Sequence, residues 1–277
     1  MNDKRGFLYI ANKTKFIHEA LISVKSLMKH NDEKVCLICT QEIFKEDLKK
    51  SFDIVLCIDE MNNYTYLSKV VGLNYTPFEK TIFLDSDTFI TDKITELFDL
   101  LDFVDLATTL EYKLHTTGPH DFKYRNIFPE LNSGVIVYKK NPITLKIFKD
   151  WLTICEKYNI INDMPGLREA VLKNFNEVKY SILPQLYNTH GFKSMLILNN
   201  KIKIIHERLG YKKGFITPHF LPFDEMEKFA HRINKYSYKR LFIPRVGVIT
   251  YRWSPENIIL YLKKRLGYKR ISKSKSY

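Results

Sequence analysis

Short apolar runs alternate along the chain with segments in which apolar residues recur every three or four positions. The apolar runs are rich in β-branched and aromatic residues, which is typical of strands buried on both faces. Strands are predicted at residues 7–10, 35–39, 54–58, 80–84, 105–110 and 133–138. Helices are predicted at residues 17–30, 41–50, 66–74, 94–101, 142–158, 163–173 and 255–266, with Asn141-Pro142 as the N-cap and N1 pair of the fifth.

This alternation predicts an α/β fold, with a mostly parallel, Rossmann-like central sheet flanked by helices. A chain of 277 residues is long enough to bury a full core. After residue 180 the pattern loosens into loops with short strands. No internal repeat and no Gly/Ser linker interrupts the sequence, so we expect one domain at residues 1–250 and a helical, basic C-terminal appendage at residues 251–277.

Two aspartates, Asp85 and Asp87, follow the predicted strand at residues 80–84. Carboxylates cannot enter a sheet interior unpaired, and open α/β sheets bind their ligands at the carboxyl ends of strands. Two hard oxygen ligands at such a place suit Mg²⁺ or Mn²⁺, which are often held by one or two carboxylates together with substrate phosphates. The alternative is that the Asp-x-Asp segment forms only a turn or a helix cap.

The net charge of +13 is unevenly distributed along the chain. Seven cations and no anion lie between residues 263 and 275, which leaves +6 for the rest of the chain. A nucleic-acid-binding domain would instead carry its basic residues in a groove with interleaved aromatics. We therefore expect no nucleic-acid partner, although a nucleic-acid-binding protein remains an alternative, and we treat the basic tail as a separate feature.

The cysteines and the first residues of the sequence indicate the cellular compartment of the protein. Cys36 and Cys39 have the Cys-x-x-Cys spacing, but in a strand residues three apart face opposite sides of the sheet. We expect them to be small buried residues in a reducing compartment. The sequence opens without a signal-peptide pattern and contains no apolar run of transmembrane length, which predicts a cytoplasmic protein.

Several short motifs resemble one known group in their order along residues 7–210. They are Asp85-Ser86-Asp87 with its lead-in Thr76-Pro77-Phe78-Glu79-Lys80, then Leu131-Asn132-Ser133-Gly134-Val135, Asp163-Met164-Pro165, Leu183-Pro184-Gln185-Leu186-Tyr187-Asn188 and Ile204-Ile205-His206. The set resembles the GT-A-fold glycosyltransferases, close to the family 8 type. This resemblance implies transfer of a sugar from a nucleotide-diphosphate sugar, in the first place a UDP-sugar, to a glycan or lipid-linked acceptor.

The resemblance also implies the metal and nucleotide contacts. Asp85 and Asp87 hold the ion and His206 completes its protein ligands, and such a mixed O/N set suits Mn²⁺, or Mg²⁺, better than Ca²⁺. The donor nucleotide then contacts the end of the first strand and the helix before the metal strand. These nucleotide-binding residues are Tyr9, Ala11, Asn12, Phe16 and Lys69. The alternative for each is an ordinary structural role.

At the sugar end, the resemblance implies that Asn132, Ser133 and Gly134 line the donor sugar, with the glycine permitting close approach of the backbone. Ser86 is a further implied donor-binding residue. Asn132 and Asp163 are the implied catalytic residues, with Asp163 accepting hydrogen bonds from sugar hydroxyls. Met164 stands where the family has a glutamine, so neither a retaining nor an inverting outcome is assigned.

Acceptor recognition is expected from two loops, at residues 112–128 and 211–223. They carry His115, His120, Tyr124, Arg125, Lys212 and Lys213. A nucleotidyltransferase of similar architecture is the alternative enzyme class. Such an enzyme normally shows a Gly-rich basic loop after the first strand, whereas residues 12–15 contain no glycine.

The C-terminal segment generates a prediction of its own. Apolar residues at helical spacing lie beside the cations at 263–265, a pattern typical of an amphipathic helix on an anionic membrane surface. Because each such cation contributes about 1 kcal/mol near the surface, we expect peripheral attachment at the inner face of a membrane. In liposome sedimentation, truncation after Pro255 should abolish binding to anionic vesicles. Equal binding by the truncated chain would mean that the helix packs on the domain instead.

Overall fold

The computed structural model describes residues 3–64, 66–111, 119, 122, 128–160, 162–190, 196–198, 201–208, 220–234, 240–243 and 247–250. The strands are β1 (Asp3–Ala11), β2 (Val35–Cys39), β3 (Ile54–Cys57), β4 (Phe78–Leu84), β5 (Thr88–Ile90), β6 (Leu106–Leu110), β7 (Leu131–Lys139), β8 (Tyr180–Ile182), β9 (Leu196–Leu198), β10 (Ile204–His206), β11 (Arg240–Ile243) and β12 (Gly247–Thr250). The α-helices are α1 (Thr14–Leu27), α2 (Ser68–Leu73), α3 (Glu96–Leu100), α4 (Pro142–Lys157), α5 (Met164–Lys173) and α6 (Phe223–Asn234).

Within these residues a seven-stranded central sheet has the order β3-β2-β1-β4-β7-β6-β8. The neighbours β3, β2, β1 and β4 are parallel, and so are β6 and β8. β7 runs antiparallel to both of its neighbours, β4 and β6. The predicted mostly parallel α/β sheet is therefore confirmed. The antiparallel strand follows a connection for which no helix was predicted, and a parallel crossover normally needs one.

Two apolar clusters cover the two faces of the sheet. Along β1, Phe7 and Tyr9 pack on one face together with α1 and α3, whereas Leu8 and Ile10 pack on the other with α2, α4 and α5. Burial on both faces explains why the strands read as continuous apolar runs. A third cluster joins α6 to β5 and β10, and this helix was not predicted.

The cysteine prediction is confirmed for the pair in β2. Cys36 belongs to the cluster on one face and Cys39 to the cluster on the other, so the two thiols lie on opposite sides of the sheet. All four cysteines fall within the described residues, and each is free. Burial raises the pKa of Cys39 to about 12, so this thiol is inert at neutral pH.

The prediction of an α-helix at residues 41–50 was wrong. The segment forms two short 3₁₀ helices, Gln41–Ile43 and Glu46–Lys50, separated by extended backbone at Phe44 and Lys45. The second of them buries Leu48, whereas the first buries no residue. A segment of this length without a continuous buried stripe cannot stabilise an α-helix.

The last predicted helix, at residues 255–266, lies outside the described residues, as does the basic tail. In the part of the chain that the structure describes, no helix is both long enough and apolar enough to cross a membrane.

The start of α4 gives a stability prediction. The Asn141 side chain accepts a hydrogen bond from the Thr144 backbone N–H at 3.0 Å, and the Thr144 hydroxyl accepts one from the Asn141 backbone N–H at 3.2 Å, which completes a capping box. Asn141→Ala should lower the free energy of unfolding by about 1–2 kcal/mol, measured by urea denaturation. Asn141→Ser keeps a capping oxygen and should recover most of the loss. Equal losses in both variants would place the effect in another contact of Asn141.

Candidate active site at the carboxyl edge of the sheet

A cavity of about 540 Å³ opens beside the carboxyl ends of β1 and β4. This volume is in the range of small-molecule ligand sites. Predicted residues from the β4–β5 turn and from β7 line it, namely Asp85, Ser86, Asp87, Asn132, Ser133 and Gly134. Predicted residues from other elements join them, namely Asn12, Phe16, Lys69, Asp163 and His206. The fold therefore brings together residues spread over most of the chain.

Two predicted residues, Tyr9 and Ala11, are not among the residues that line this cavity. Tyr9 is fully buried, its hydroxyl is 2.8 Å from the Ser23 hydroxyl, and its ring packs edge-on against Phe52. Strand alternation is the reason, because Tyr9 and Ala11 share the face of β1 that α1 covers, whereas Ile10 faces the other side.

Asp85, Asp87 and His206 converge at one point of the cavity. His206 Nε2 lies 3.2 Å from Asp87 Oδ1 and 3.7 Å from Asp85 Oδ2. One possible ligand atom from each residue lies within 4.8 Å of the other two. The pairing of β5 with β10 creates this convergence, because it places His206 opposite Thr88, the residue after Asp87.

The ring of His206 is oriented by an amide. Its Nδ1 lies 2.8 Å from Asn188 Oδ1, while the Asn188 amide group donates to Asn132 Oδ1 at 2.7 Å and to the Thr109 hydroxyl at 2.9 Å. An imidazole that donates its Nδ1–H to an amide oxygen presents the Nε2 lone pair toward the carboxylates. This arrangement is the usual way in which a protein prepares a histidine to bind a metal ion.

Gly134 is required by the same histidine. A Cβ added at this position would lie 2.1 Å from Cε1 and 2.4 Å from Nδ1 of His206. The predicted reason for the glycine was close approach of the backbone to a donor sugar. The structure gives another reason, which is that the imidazole packs directly against the Gly134 backbone.

Lys69, from α2, links the carboxylates of Asp85 and Asp163. Its Nζ lies 3.3 Å from Asp85 Oδ2, 3.1 Å from Asp163 Oδ2 and 2.7 Å from the Ser133 hydroxyl. The Ser133 hydroxyl donates to Asp163 Oδ2 at 2.5 Å. Burial of Lys69 disfavours its charged form, but Asp163 and Asp85 outweigh that effect and raise its pKa above the ordinary value. Lys69 is therefore a permanent cation of the cavity.

The neighbouring charges shift the pKa values of the convergent residues in opposite directions. Burial raises the pKa of Asp85, and Lys69 and His206 offset this only in part. Burial acts in the same direction on Asp87, but His206 and Arg208 hold the pKa of this carboxyl well below its usual range. Burial favours the neutral imidazole of His206, yet Asp87 and Asp85 raise its pKa above the ordinary value. Positive charge is thus favoured where the three side chains meet.

Asn132 lies at the centre of a buried polar network. Its Nδ2 donates to Glu111 Oε2 at 2.9 Å, and its Oδ1 accepts from the Gly134 N–H at 2.9 Å as well as from Asn188. His190 Nε2 lies 3.4 Å from Glu111 Oε1. Asn132 lines the cavity as predicted, and its amide also holds Glu111 and Asn188 in place.

Arg208 and Glu19 form a charged pair at the edge of the site. Arg208 Nε and Nη2 donate to the two oxygens of Glu19, both at 2.8 Å, and its Nη1 lies 2.7 Å from Asp87 Oδ2. The Ser86 hydroxyl donates to Glu19 at 3.1 Å. Ser86 therefore connects the Asp85-Ser86-Asp87 turn to helix α1.

Asn12 and Phe16 also line the cavity, near the end of β1. The Asn12 amide donates to the Tyr64 backbone carbonyl at 2.7 Å, which fixes the turn after β1. The named residues of the two predicted acceptor loops, at 115, 120, 124, 125, 212 and 213, lie outside the described residues.

Open α/β sheets bind their ligands at the carboxyl ends of the strands, where this cavity lies, so the fold is that of a ligand-binding α/β protein. A family model described as nucleotide-diphospho-sugar transferase matches residues 68–213, which is more than half of the chain. The chain therefore belongs to the nucleotide-diphospho-sugar transferase family, and the family predicted from the motifs is confirmed.

Known proteins support the fold. Glucose N-acetyltransferase 1 of Saccharomyces cerevisiae is 24% identical over 162 residues, which are 58% of this chain and 31% of that protein. The galactosyltransferase LgtC, solved with donor and acceptor sugar analogs, superposes with a TM-score of 0.54 at 10% identity, over 82% of this chain and 96% of LgtC. The apo-form glycosyltransferase GlyE of Streptococcus pneumoniae TIGR4 superposes with a TM-score of 0.53 at 17% identity, over 85% of this chain and 66% of GlyE. This chain spans less than a third of the yeast protein, and the structural similarity shows the GT-A fold.

The residues present fit a divalent cation. Two carboxylates and an imidazole nitrogen form a donor set suited to Mn²⁺ or Mg²⁺. His206 already has the supporting hydrogen bond that a metal ligand needs, and the surrounding charges favour a cation at that point. Asp85, Asp87 and His206 would hold the ion.

Some residues of the cavity were missed by the sequence reasoning. Glu111 and His190 line it, as does Arg208. Glu111 follows β6 directly, so it carries the same signal as Asp85, an acid at the carboxyl end of a buried strand. Arg208 and Glu19 carry no local signal, because they are 189 residues apart and only the fold brings them together.

The packing of His206 on Gly134 predicts a coupled effect. Gly134→Ala should lower the free energy of unfolding by about 1–3 kcal/mol, because the added methyl displaces the imidazole. Adding Gly134→Ala to His206→Ala should cost much less, since the ring is then absent. Urea denaturation of the parent, both single variants and the double variant forms a cycle that measures the coupling. Additive losses would show that the methyl group clashes elsewhere.

Proposed function

We propose that this chain is a metal-dependent glycosyltransferase that moves a sugar from a nucleotide-diphosphate sugar, in the first place a UDP-sugar, to a glycan or lipid-linked acceptor. The observation that carries the proposal is the convergence of Asp85, Asp87 and His206 at the wall of a ligand-sized cavity. Family membership supports the reaction class, and the geometry supports the dependence on a divalent ion.

The donor would lie along the carboxyl edge of the sheet. Phe16 and Asn12, which line the cavity beside Ile10, would contact the nucleobase and ribose. The diphosphate would lie next to Lys69 and the Asp85-Ser86-Asp87 turn. When bound, Mn²⁺ or Mg²⁺ supplies a Lewis acid that stabilises the charge on the departing diphosphate.

The sugar would then face Ser133, Asp163 and Asn132. Lys69 and Ser133 hold the Asp163 carboxylate at the start of α5, where it can accept hydrogen bonds from sugar hydroxyls. We assign Asp163 a catalytic, substrate-contacting role and give Asn132 the same role on the neighbouring wall. Asn132 also keeps Glu111 oriented toward this part of the cavity. Orientation of bound groups in this way is a main source of catalytic rate.

Acceptor recognition is proposed for the segments at 112–128 and 211–223. We retain the division into a catalytic domain at residues 1–250 and an appendage at 251–277, together with a cytoplasmic location. If the appendage lies on an anionic membrane surface, a lipid-linked acceptor becomes accessible to the cavity.

The metal and donor roles give a direct prediction. Asp87→Asn removes one metal-ligand charge with little change of shape, so Mn²⁺-dependent binding of UDP should fall by at least about a hundredfold, consistent with loss of a buried charged contact. Isothermal titration calorimetry with and without Mn²⁺ measures it. Asp102→Asn is the matched control, because Asp102 is an exposed aspartate paired with Lys80. Unchanged UDP affinity in Asp87→Asn would refute the metal role.

A donor panel tests the reaction class. Incubation with Mn²⁺ and individual nucleotide sugars should release nucleoside diphosphate from one of them by slow hydrolysis, and this release should be absent in Asp87→Asn. Release of pyrophosphate from a nucleoside triphosphate, with no reaction of any nucleotide sugar, would instead support a nucleotidyltransferase.

A further inference from the structure

Arg208 lines the donor cavity two residues after His206, and the function above gives it no role. We propose that Arg208 binds the diphosphate of the nucleotide sugar and that Glu19 is the positioning residue that holds its guanidinium in place. This inference rests on the proposed donor class and adds a binding residue and its support to it.

The geometry fixes the guanidinium plane. Nε and Nη2 donate side by side to the two Glu19 oxygens, both at 2.8 Å, so one edge of the group is fully used. The opposite nitrogen, Nη1, points to the metal-binding turn and lies 2.7 Å from Asp87 Oδ2. The Arg208 side chain is 26% exposed, so part of it faces the cavity.

Glu19 is an unusual residue for its place in the fold. It lies on the buried face of α1 among apolar neighbours, and its side chain is 5% exposed. A buried carboxylate is costly unless it is paired and hydrogen-bonded. Arg208 and the Ser86 hydroxyl satisfy it, and these contacts direct the arginine toward the Asp85-Ser86-Asp87 turn.

The charges around Asp87 explain why the contact with Arg208 can change on ligand binding. Both Arg208 and His206 now lie against this carboxylate. Once Asp87 shares its charge with a divalent cation, it no longer needs Arg208 as a counter-ion. The Nη1 group, still anchored through Glu19, is then available to phosphate oxygens next to that cation. A planar guanidinium is well suited to such oxygens.

The competing explanation is structural, because Arg208 could serve only to neutralise the buried Glu19, while Asp87 keeps His206 as a counter-ion. The two explanations differ for a variant that removes both charges of the pair. In Glu19→Gln/Arg208→Gln no buried charge of the pair is left alone, and two amides replace the ion pair. A structural arginine becomes dispensable in this background, whereas a phosphate-binding arginine does not.

The test compares dissociation constants for UDP at saturating Mn²⁺, by calorimetry, with those for uridine, which lacks phosphate, by ligand-observed NMR. We expect Glu19→Gln/Arg208→Gln to bind UDP about tenfold to a hundredfold more weakly, the range for a charged hydrogen bond, with uridine binding and melting temperature close to the parent's. Arg208→Lys keeps the charge and should still bind UDP several-fold more weakly. The matched control is Arg5→Gln/Glu33→Gln, an arginine–glutamate pair at the amino end of β1.

UDP affinity within twofold of the parent in the double variant would overturn the role of Arg208 and leave the proposed function standing. The same result in Arg208→Lys would also overturn it, and this decides the matter if the double variant is unstable. If the parent itself shows no Mn²⁺-dependent binding of UDP, the proposed donor class fails, and this inference fails with it.

Discussion

Two carboxylates that follow the buried end of β4 set the requirement that the rest of the site meets. β4 is enclosed on both faces, and its chain direction delivers Asp85 and Asp87 to the cavity wall. Such charges are tolerated only beside compensating positive groups. Lys69 is the counter-ion of Asp85, and His206 and Arg208 lie against Asp87. Positive charge is therefore favoured beside the two carboxylates.

The compensating groups come from separate elements, so the sheet topology decides whether they meet. α2 supplies Lys69, and the β5–β10 ribbon supplies His206. β7 lies next to β4, which brings Gly134 against the turn that begins at Asp85, where the Asp85 N–H donates to the Gly134 carbonyl at 2.8 Å. The antiparallel strand is therefore part of the site and not an irregularity of the sheet.

A continuous polar chain runs along the cavity wall. It runs from His206 through Asn188 and Asn132 to Glu111. The Asn188–Asn132 and Asn132–Glu111 links are buried, and the His206–Asn188 link is partly buried. Buried networks of satisfied hydrogen bonds hold their members in one arrangement. The orientation of the imidazole is thus coupled to the wall that would contact a donor sugar. Gly134 belongs to the same unit, because its missing side chain leaves room for the ring.

Local patterns in the sequence determined a large part of this protein. Apolar runs located six of the seven strands of the central sheet, all but β8. Strand periodicity separated Cys36 from Cys39, and the Asn141-Pro142 pair located the start of α4. Ordered motifs identified the family and most of the residues that line the cavity. These features are encoded by neighbours in the chain, through side-chain periodicity, capping and turn chemistry.

Only the tertiary structure decided which distant residues pair. The direction of β7, the packing of His206 on Gly134 and the Glu19–Arg208 pair depend on strand order and on contacts across the fold. Tyr9 shows the same limit. Its motif indicated a residue near the ligand, but its side chain faces the covered side of β1 and is buried in the core. Contacts between such distant residues produce no periodic pattern in the sequence, because the partners come together only after the sheet has formed.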